Sequence, residues 1–202
     1  MAGPDVLRDM GDTLVFILRS GIPASMVDPS RIQVATPDEF DSLRDPAHPN
    51  ITVFVYRISV NPQMRNNPRR MLPDGRMARQ PLPLELSLLI TAWAKETKDE
   101  LRIIGRILQV LYDRSELSSA SLVGSSWEPD DTVQLVLESL PLDDHWRIWD
   151  AAEVPYRLSL TYMARVIGIT PAEAVAGPPV VDAKFEIDLL EAKVMKPKEV
   201  AP

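Results

Sequence analysis

The segment from residue 81 to residue 113 joins a strand pattern directly to a helix pattern, and this junction constrains the fold more than any other part of the chain. Between Leu84 and Ile90 every second residue is apolar, a period of two that predicts a half-buried strand. Thr97 and Glu100 then have the spacing of a capping box, which predicts the start of a helix. The expected apolar stripe of that helix is Leu101, Ile104, Leu108 and Leu111.

The other elements show the same two periods. Residues 5–20 predict a first helix that stops at Gly21, and residues 142–149 predict a short helix. Strands are predicted at 31–35, 51–60, 132–138 and 156–166. The second of these is apolar on both faces and is expected to be central, while the last has one apolar face and one polar, available face. This order favours an α+β fold, with a mixed or largely antiparallel sheet and helices packed on it.

Two proline-containing segments divide the chain. Residues 61–81 contain four prolines and no apolar periodicity, so we expect a long loop between two strands. After Thr170 the sequence becomes rich in proline and charge. We therefore predict an α+β domain over residues 1–170 and an extended C-terminal arm over residues 171–202. Within the arm, residues 183–190 have the pattern of an isolated strand, which needs a partner edge.

Composition excludes several classes of function. The chain of 202 residues contains no cysteine, which removes disulfides, thiol catalysis and cysteine metal sites. No apolar run is long enough to span a bilayer, and the first residues are acidic where an export signal is basic. We therefore expect cytoplasmic assembly without membrane insertion. The net charge of -7 argues against a nucleic-acid partner.

Catalytic and metal-binding patterns are weak. The eight glycines form neither a phosphate loop nor a dinucleotide fingerprint. His48 and His145 are the two imidazoles, and no serine lies in a nucleophile elbow. Glu85 and Asp150 are the first candidates if the protein is an enzyme, a third-ranked possibility. We expect no enzyme activity, no cofactor and no metal.

Three further groups of residues have a structural interpretation. Asp143, Asp144 and His145 are consecutive at a helix start and point in different directions, so they are expected to favour the helix N-terminus rather than to bind an ion. The first helix is expected to carry an acidic face formed by Asp5, Asp9 and Asp12. This face is expected to be solvated or to meet a basic partner. Core anchors are expected from Trp93, Trp127, Trp146 and Trp149.

The loop at residues 61–81 carries five arginines and one acid, Asp74. Clustered guanidinium groups bind carboxylates or phosphates through bidentate contacts. Two interpretations of this segment remain open, a solvated loop and a docking element for an acidic protein surface. Binding of nucleic acid is less favoured because the loop contains no aromatic residue. The arginines are Arg65, Arg69, Arg70, Arg76 and Arg79.

Four segments in order resemble the cap or tail-terminator proteins of contractile injection systems, which are phage-tail-like particles. They are LPLELSLLITAWA, LRIIGRILQVLYD, VQLVLESLPLDDHWRIWDA and VPYRLSLTYMARVIGI. The resemblance covers residues 5–169 and is carried by residues 84–93, Gly105 with Arg106, Trp149, and residues 155–157. It implies an α/β fold and a homo-hexameric ring on the last layer of tube and sheath, without enzyme activity.

The resemblance implies a structural cap that closes the end of the inner tube and sheath and stops their polymerisation. The alternative is another structural adaptor of such a particle, at the baseplate or at a tube joint. The protein would assemble in the cytoplasm and become part of the particle, with the terminal tube and sheath subunits as partners. The arm is then expected to add an edge strand to a sheath subunit or to a neighbouring cap subunit. Its contact residues would be Lys184, Phe185, Ile187 and Leu189.

Overall fold

A computed structural model describes residues 3–43, 46–62, 64 and 81–169. The helices are α1 (Val6–Gly21), α2 (Pro37–Phe40), α3 (Thr97–Tyr112) and α4 (Leu142–Ala151). The strands are β1 (Ile32–Val34), β2 (Asn50–Val60), β3 (Leu82–Trp93), β4 (Glu116–Ser118), β5 (Thr132–Leu137) and β6 (Ser159–Ile169). Short 3-10 turns occupy Pro29–Arg31 and Asp41–Leu43.

The strands form one six-stranded sheet in the order β1-β2-β3-β6-β5-β4. β1 pairs with β2 in parallel, and the other neighbouring strands pair antiparallel. The sheet is therefore mixed and largely antiparallel, which confirms the predicted α+β class. β3 lies near the middle because its two edges pair with β2 and β6 along most of their lengths.

α1 and α3 cover one face of the sheet. That face carries Leu86, Leu88 and Ile90 of β3, which belong to the main hydrophobic core together with the apolar side of α1. Burial of this apolar area supplies the main driving force for folding. α1 starts and ends within one residue of the prediction.

The other face of the sheet is covered at one end by α2 and α4. A second buried cluster there contains Leu89 and Trp93 of β3, together with Phe40 and Trp149. β3 is consequently buried on both faces from Leu86 to its end, so the prediction of a half-buried strand is wrong for that part. Alternation within a strand shows which residues share a face, whereas the covering helices come from distant segments.

The predicted stripe on α3 is correct for Ile104 and Leu111 but wrong for Leu101, which is 53% exposed. Ile103 and Ile107 are buried in addition, because α3 packs against both α1 and the sheet and buries a wider surface than one narrow stripe. The N-cap is Glu96 rather than Thr97, and it makes no side-chain capping bond.

Several strands differ from prediction. The short strand β4 lies inside residues 115–131, for which the sequence predicted no strand. β6 begins three residues later than predicted and continues to Ile169, and its residues Ser159 and Thr161 are buried although their face was expected to be available. In β5, Leu137 is exposed although Val133 and Leu135, on the same face, are buried.

β2 lies second from one edge of the sheet rather than at its centre. Residues 50–53 are buried, whereas Arg57, Ile58 and Val60 are exposed. The prediction of cover on both faces therefore holds for the first part of this strand. The arm at residues 171–202 and most of the loop at residues 61–81 lie outside the described residues, so the predicted domain division stays a prediction.

Candidate protein-contact surfaces

His145 and Ser159 form the arrangement most similar to a catalytic pair in the described part of the chain. The Nε2 atom of His145 lies 2.9 Å from Ser159 Oγ. Trp149 Nε1 also donates to this oxygen at 3.2 Å, and the hydroxyl donates to the Arg157 carbonyl oxygen at 3.2 Å. Burial lowers the pKa of His145, which favours its neutral form. With Nε2 protonated, His145 and Trp149 both donate to Ser159, so its hydroxyl is fully engaged in linking α4 to β6.

This pair was not visible in the sequence. The two residues stand 14 positions apart, one on a helix and one at the start of a strand. Only the packing of α4 on the sheet brings them together. No group of three or more metal-binding side chains occurs within the described residues.

An aromatic cluster fixes α2 and α4 on the sheet. The Phe40 ring centroid lies 5.3 Å from that of Trp93 and 5.7 Å from that of Trp149. Trp93 Nε1 donates to Thr52 Oγ1 at 2.9 Å, which satisfies the buried indole. Arg157 lies over the Trp93 ring, 5.6 Å from its centroid, and forms an ion pair with Glu100 of α3. This end of the sheet is therefore closely packed, and the side chains of Trp93 and Glu100 have polar partners there.

The tryptophans divide into two groups. Trp93 and Trp149 are buried core anchors, as predicted. Trp127 is partly buried against the main core, and its Nε1 donates to the Val123 carbonyl at 2.8 Å. Trp146 contradicts the prediction, because it is 52% exposed and stacks on Tyr156 with a centroid separation of 4.8 Å. Trp146 lies on the outer side of α4, whereas Trp149 lies on the side that faces the sheet.

The predicted acidic face on α1 is wrong at Asp9, which is 1% exposed. Its carboxylate accepts hydrogen bonds from the Ser126 backbone at 3.1 Å and from Arg8 at 3.0 Å. Burial by itself raises the pKa of Asp9, but the bonds from Ser126 and Arg8 outweigh it and hold the pKa below its ordinary value. Gly124 has φ +111°, and a Cβ there would lie 2.2 Å from the carboxyl group. Asp9 thus anchors the segment before β5.

The remaining acidic candidates have surface or structural positions. Asp143 and Asp144 are exposed, and Asp144 pairs with Arg147 on the same helix at 3.7 Å. Asp150 is also exposed. Glu85 accepts a hydrogen bond from Asn61 Nδ2 at 3.1 Å.

One half of the second sheet face is left open by α2 and α4 within the described residues. Register places side chains there in two rows across four strands, and we call this surface the open sheet face. The rows are Arg57, Ser87, Met163 and Val136, and Ser59, Glu85, Arg165 and Gln134, of which Ser87 is itself fully buried.

The charges of the open sheet face are arranged in pairs. Arg165 lies 3.6 Å from Glu85, and Arg57 lies 3.8 Å from Glu138. Tyr56 also donates to Glu138 at 3.0 Å. A broad surface with mixed charges fits contact with another protein better than catalysis on a small molecule, which needs a concave pocket.

The arginine-containing loop joins the sheet beside the open sheet face. The backbone N–H of Asn61, at the start of the loop, donates to the carbonyl of Pro83 at 2.9 Å. Ser59 and Glu85, in the second row of the face, are the adjacent register pair. The ends of the loop are therefore held together at this end of the sheet.

A second surface is an apolar groove between the C-terminal half of α3 and strands β5 and β6. Its volume is about 330 Å³, and we call it the α3 groove. Tyr112 and Leu137 at its margin are 82% and 54% exposed. Its lining residues are Leu108, Gln109, Leu111, Tyr112, Ser115, Leu135, Leu137 and Tyr162. Exposed apolar surface of this kind is characteristic of protein–protein contacts.

The predicted contact residues themselves lie outside the described part of the chain. They are Arg65, Arg69, Arg70, Arg76 and Arg79 in the loop, and Lys184, Phe185, Ile187 and Leu189 in the arm. Their roles stay predictions. None of the helices that the structure describes combines the length and apolar character needed to cross a membrane.

The fold places this chain in the class of α+β proteins. Its described surfaces are suited to protein–protein contact. The family model described as the Pvc16 N-terminal domain matches residues 9–183. The chain therefore belongs to the Pvc16 N-terminal domain family. A comparison with curated proteins finds no significant match.

Two solved structures are similar to this chain. A sheath/tube terminator of an extracellular contractile injection system, PVC, in its extended state matches with a TM-score of 0.61 over 94% of this chain and 65% of that one. The tube-terminating cap of the anti-feeding prophage matches with a TM-score of 0.58 over 88% of this chain and 60% of that one. Identity is 18% in both cases, so the likeness shows the fold. It confirms the resemblance found in the sequence.

This chain spans less than two thirds of the length of either protein, as the 65% and 60% coverages show. The activities and partners of those complete proteins are therefore a matter for proposal here.

Proposed function

We propose that this chain is a structural cap of a contractile injection system, which forms a ring at the end of the inner tube and sheath and stops their polymerisation. The observation that carries the proposal is the match of its fold, over 94% of its length, to a sheath/tube terminator. Family membership over residues 9–183 supports the same assignment.

Termination has a simple physical basis. A tube grows because each ring presents a top surface that repeats its bottom surface, which is an open head-to-tail contact. A terminator copies one of these surfaces and lacks the other, so the next ring has nothing to bind. We propose a homo-hexamer, in which each subunit meets its two neighbours through two different patches and ring closure prevents filament growth.

The partners we propose are the terminal tube and sheath subunits. The five loop arginines bind an acidic surface on the terminal ring, since guanidinium groups recognise carboxylates and the loop begins and ends at the open sheet face. The arm supplies a strand to a neighbouring subunit. Neither contact involves nucleic acid. The cap assembles in the cytoplasm and remains part of the particle.

The role we propose is not enzymatic. Ser159 is buried and its hydroxyl donates to the Arg157 carbonyl, so it is not available as a nucleophile. Glu85 accepts a hydrogen bond from Asn61 and lies near Arg165. These side chains have structural partners that account for their positions.

Deletion of the gene in the producing cell tests this function. Particle lengths measured by negative-stain electron microscopy should become abnormal or widely distributed, and expression of the wild-type chain should restore them. Complete loss of particles would instead indicate a nucleating role, as in a baseplate adaptor. An unchanged length distribution would overturn the cap assignment.

A further inference from the structure

The outer edge of β2 is longer than the strand that pairs with it. β1 pairs with β2 over Ile51, Thr52 and Val53. Beyond this ladder, the Ala35 N–H donates to the Val53 carbonyl at 3.1 Å. Over residues 54–60 no described strand pairs with that edge, although the inner edge of β2 continues to pair with β3 as far as Val60. An unpaired edge offers backbone N–H and C=O groups to an added strand.

The side chains along this edge are incompletely covered. Ile58 and Val60 lie on the same face as the main core, opposite Leu86 and Leu84 of β3. Ile58 is 50% and Val60 39% exposed, whereas Leu86 and Leu84 are buried. A strand placed outside β2 would cover the two exposed residues by cross-strand packing.

The opposite side of the same edge is polar, and its one cation, Arg57, lies 3.8 Å from Glu138. Arg57 and Ser59 lie on the open sheet face, and the side chain of Arg57 is 55% exposed. The edge therefore prefers a strand that is apolar on one side and polar on the other.

Residues 183–190, AKFEIDLL, have this two-sided pattern. In a strand, one face carries Phe185, Ile187 and Leu189, and the other carries Lys184, Glu186 and Asp188, with Leu190 at its end. If the apolar face packs against Ile58 and Val60, the two carboxylates fall on the side of Arg57. The segment of eight residues is long enough to span the seven residues of the unpaired edge, 54–60.

The chain has sufficient length to reach such an edge. β6 ends at Ile169, which pairs with Leu82 at the start of β3. Residues 170–182 extend to about 45 Å when fully stretched. This length allows contact with another subunit.

We propose that residues 183–190 of one copy add as a strand to the outer edge of β2, residues 54–60, in a neighbouring copy. The proposal rests on the cap function above and identifies a contact between ring subunits. A second copy is the donor because ring closure requires two different patches on each subunit. The strand that a subunit donates is one patch, and the edge on which it receives its neighbour's strand is the other. Exchange around the ring leaves no subunit without a strand.

Cysteine cross-linking tests this contact directly, because the chain contains no cysteine. Full-length protein would carry Ser59→Cys with Glu186→Cys, or Ser59→Cys with Asp188→Cys. Both pairs place the two thiols on the polar side of the added strand, where opposed residues come within disulfide distance. Oxidation should give a ladder of covalent multimers up to the closed ring in at least one pair. Ser59→Cys alone should give no species larger than a dimer.

The alternatives give different results. A covalently closed monomer of altered mobility would show that the arm folds onto its own subunit, which overturns the exchange. Rings seen by electron microscopy without cross-links in either pair would overturn the contact and leave the cap function standing. Absence of both rings and cross-links would overturn both proposals.

A second pair of variants separates strand addition from a general effect of the arm. Ile187→Asp places a charge on the apolar face of the strand and should reduce the fraction of protein in rings by at least about tenfold, because burial of a charge at such a contact costs several kcal/mol. Val194→Asp makes the same change beyond the segment and should leave ring formation unchanged. Equal behaviour of the two variants would contradict the proposed contact.

Discussion

The guanidinium group of Arg106 on α3 donates two hydrogen bonds to the carbonyl oxygen of Gly21, the last residue of α1, at 3.0 Å and 2.7 Å. A helix C-terminus leaves carbonyl groups without intrahelical partners and carries a partial negative charge, so a cation is favourable there. This contact joins the C-terminus of α1 to the middle of α3, between two residues that are 85 positions apart in sequence. It gives a structural role to Arg106, one of the residues that carried the family resemblance.

Gly21 is required at this contact because of space rather than because of its backbone angle. A Cβ at position 21 would lie 2.6 Å from both methyl groups of Val110. We expect Gly21→Ala to lower the free energy of unfolding by about 1–3 kcal/mol, as overpacking does. Denaturant unfolding measures the change.

Val110→Ala in the same chain should recover part of this loss, which would appear as favourable coupling in a double-mutant cycle. The matched control is Gly105→Ala in the middle of α3, where an added Cβ meets nothing within 4 Å. It should stabilise the helix by about 0.5–1 kcal/mol. Equal destabilisation at both glycines would contradict the packing explanation.

Two buried threonines on neighbouring strands should respond in opposite ways to the same substitution. Thr52 accepts a hydrogen bond from Trp93 Nε1 at 2.9 Å, so Thr52→Val should cost about 1–3 kcal/mol by leaving a buried donor without a partner. The hydroxyl of Thr91, its register partner, is buried without a hydrogen-bond partner in the described structure. Thr91→Val should therefore be neutral or stabilising by up to about 1 kcal/mol. Thermal and denaturant unfolding of both variants check this, and a large loss for Thr91→Val would refute it.

Acid should destabilise the protein in part through Asp9. The pKa of Asp9 is lowered in the folded state, so its contribution to stability is complete above its unfolded pKa of about 3.9 and is lost as the pH falls from there through the folded pKa. Asp9→Asn should flatten the stability profile in that window. It should also cost about 1–3 kcal/mol at neutral pH through the altered hydrogen bonds. Unfolding curves between pH 2 and pH 7 measure both effects, and an unchanged acid slope would exclude Asp9 as the cause.

His145 should act in a separate and higher pH range. Its pKa is lowered by burial, so the unfolded chain takes up a proton first as the pH falls below about 6.5. Stability is then lost until the folded pKa is passed. His145→Gln should remove this slope while leaving the Asp9 window unchanged, and retention of the slope in that variant would assign it to another group.

Attachment of the cap to particles should depend on salt through the loop. Replacement of all five loop arginines by alanine should weaken attachment most at low ionic strength, because screening reduces the contribution of exposed charges in the wild type as salt increases. Cosedimentation of the purified cap with uncapped particles measures the affinity. The control is Arg102→Ala with Arg147→Ala, which removes exposed positive charge from α3 and α4. Attachment of the wild type that does not vary with salt would contradict the proposed contact.

The local elements and the class of fold could be predicted from the residue patterns alone. Periods of two and of about three and a half located β3, α3 and α1 to within a few residues, because these periods reflect backbone geometry that each segment carries alone. The order of the elements indicated an α+β sheet, and four ordered segments indicated the family. The absence of cysteine and of phosphate-binding loops was equally readable from the chain.

Which of these surfaces are covered depends on tertiary packing, which no local pattern shows. β3 is buried on both faces because α2 and α4 pack on the side that its alternation marked as polar. Asp9 is buried because the segment around Gly124 folds over α1. Among the described strands, the outer edge of β2 has no partner beyond Val53 because β1 is short. The physical reason is the same in each case. A residue pattern fixes which side chains share a face, but the cover of that face comes from segments far away in the chain.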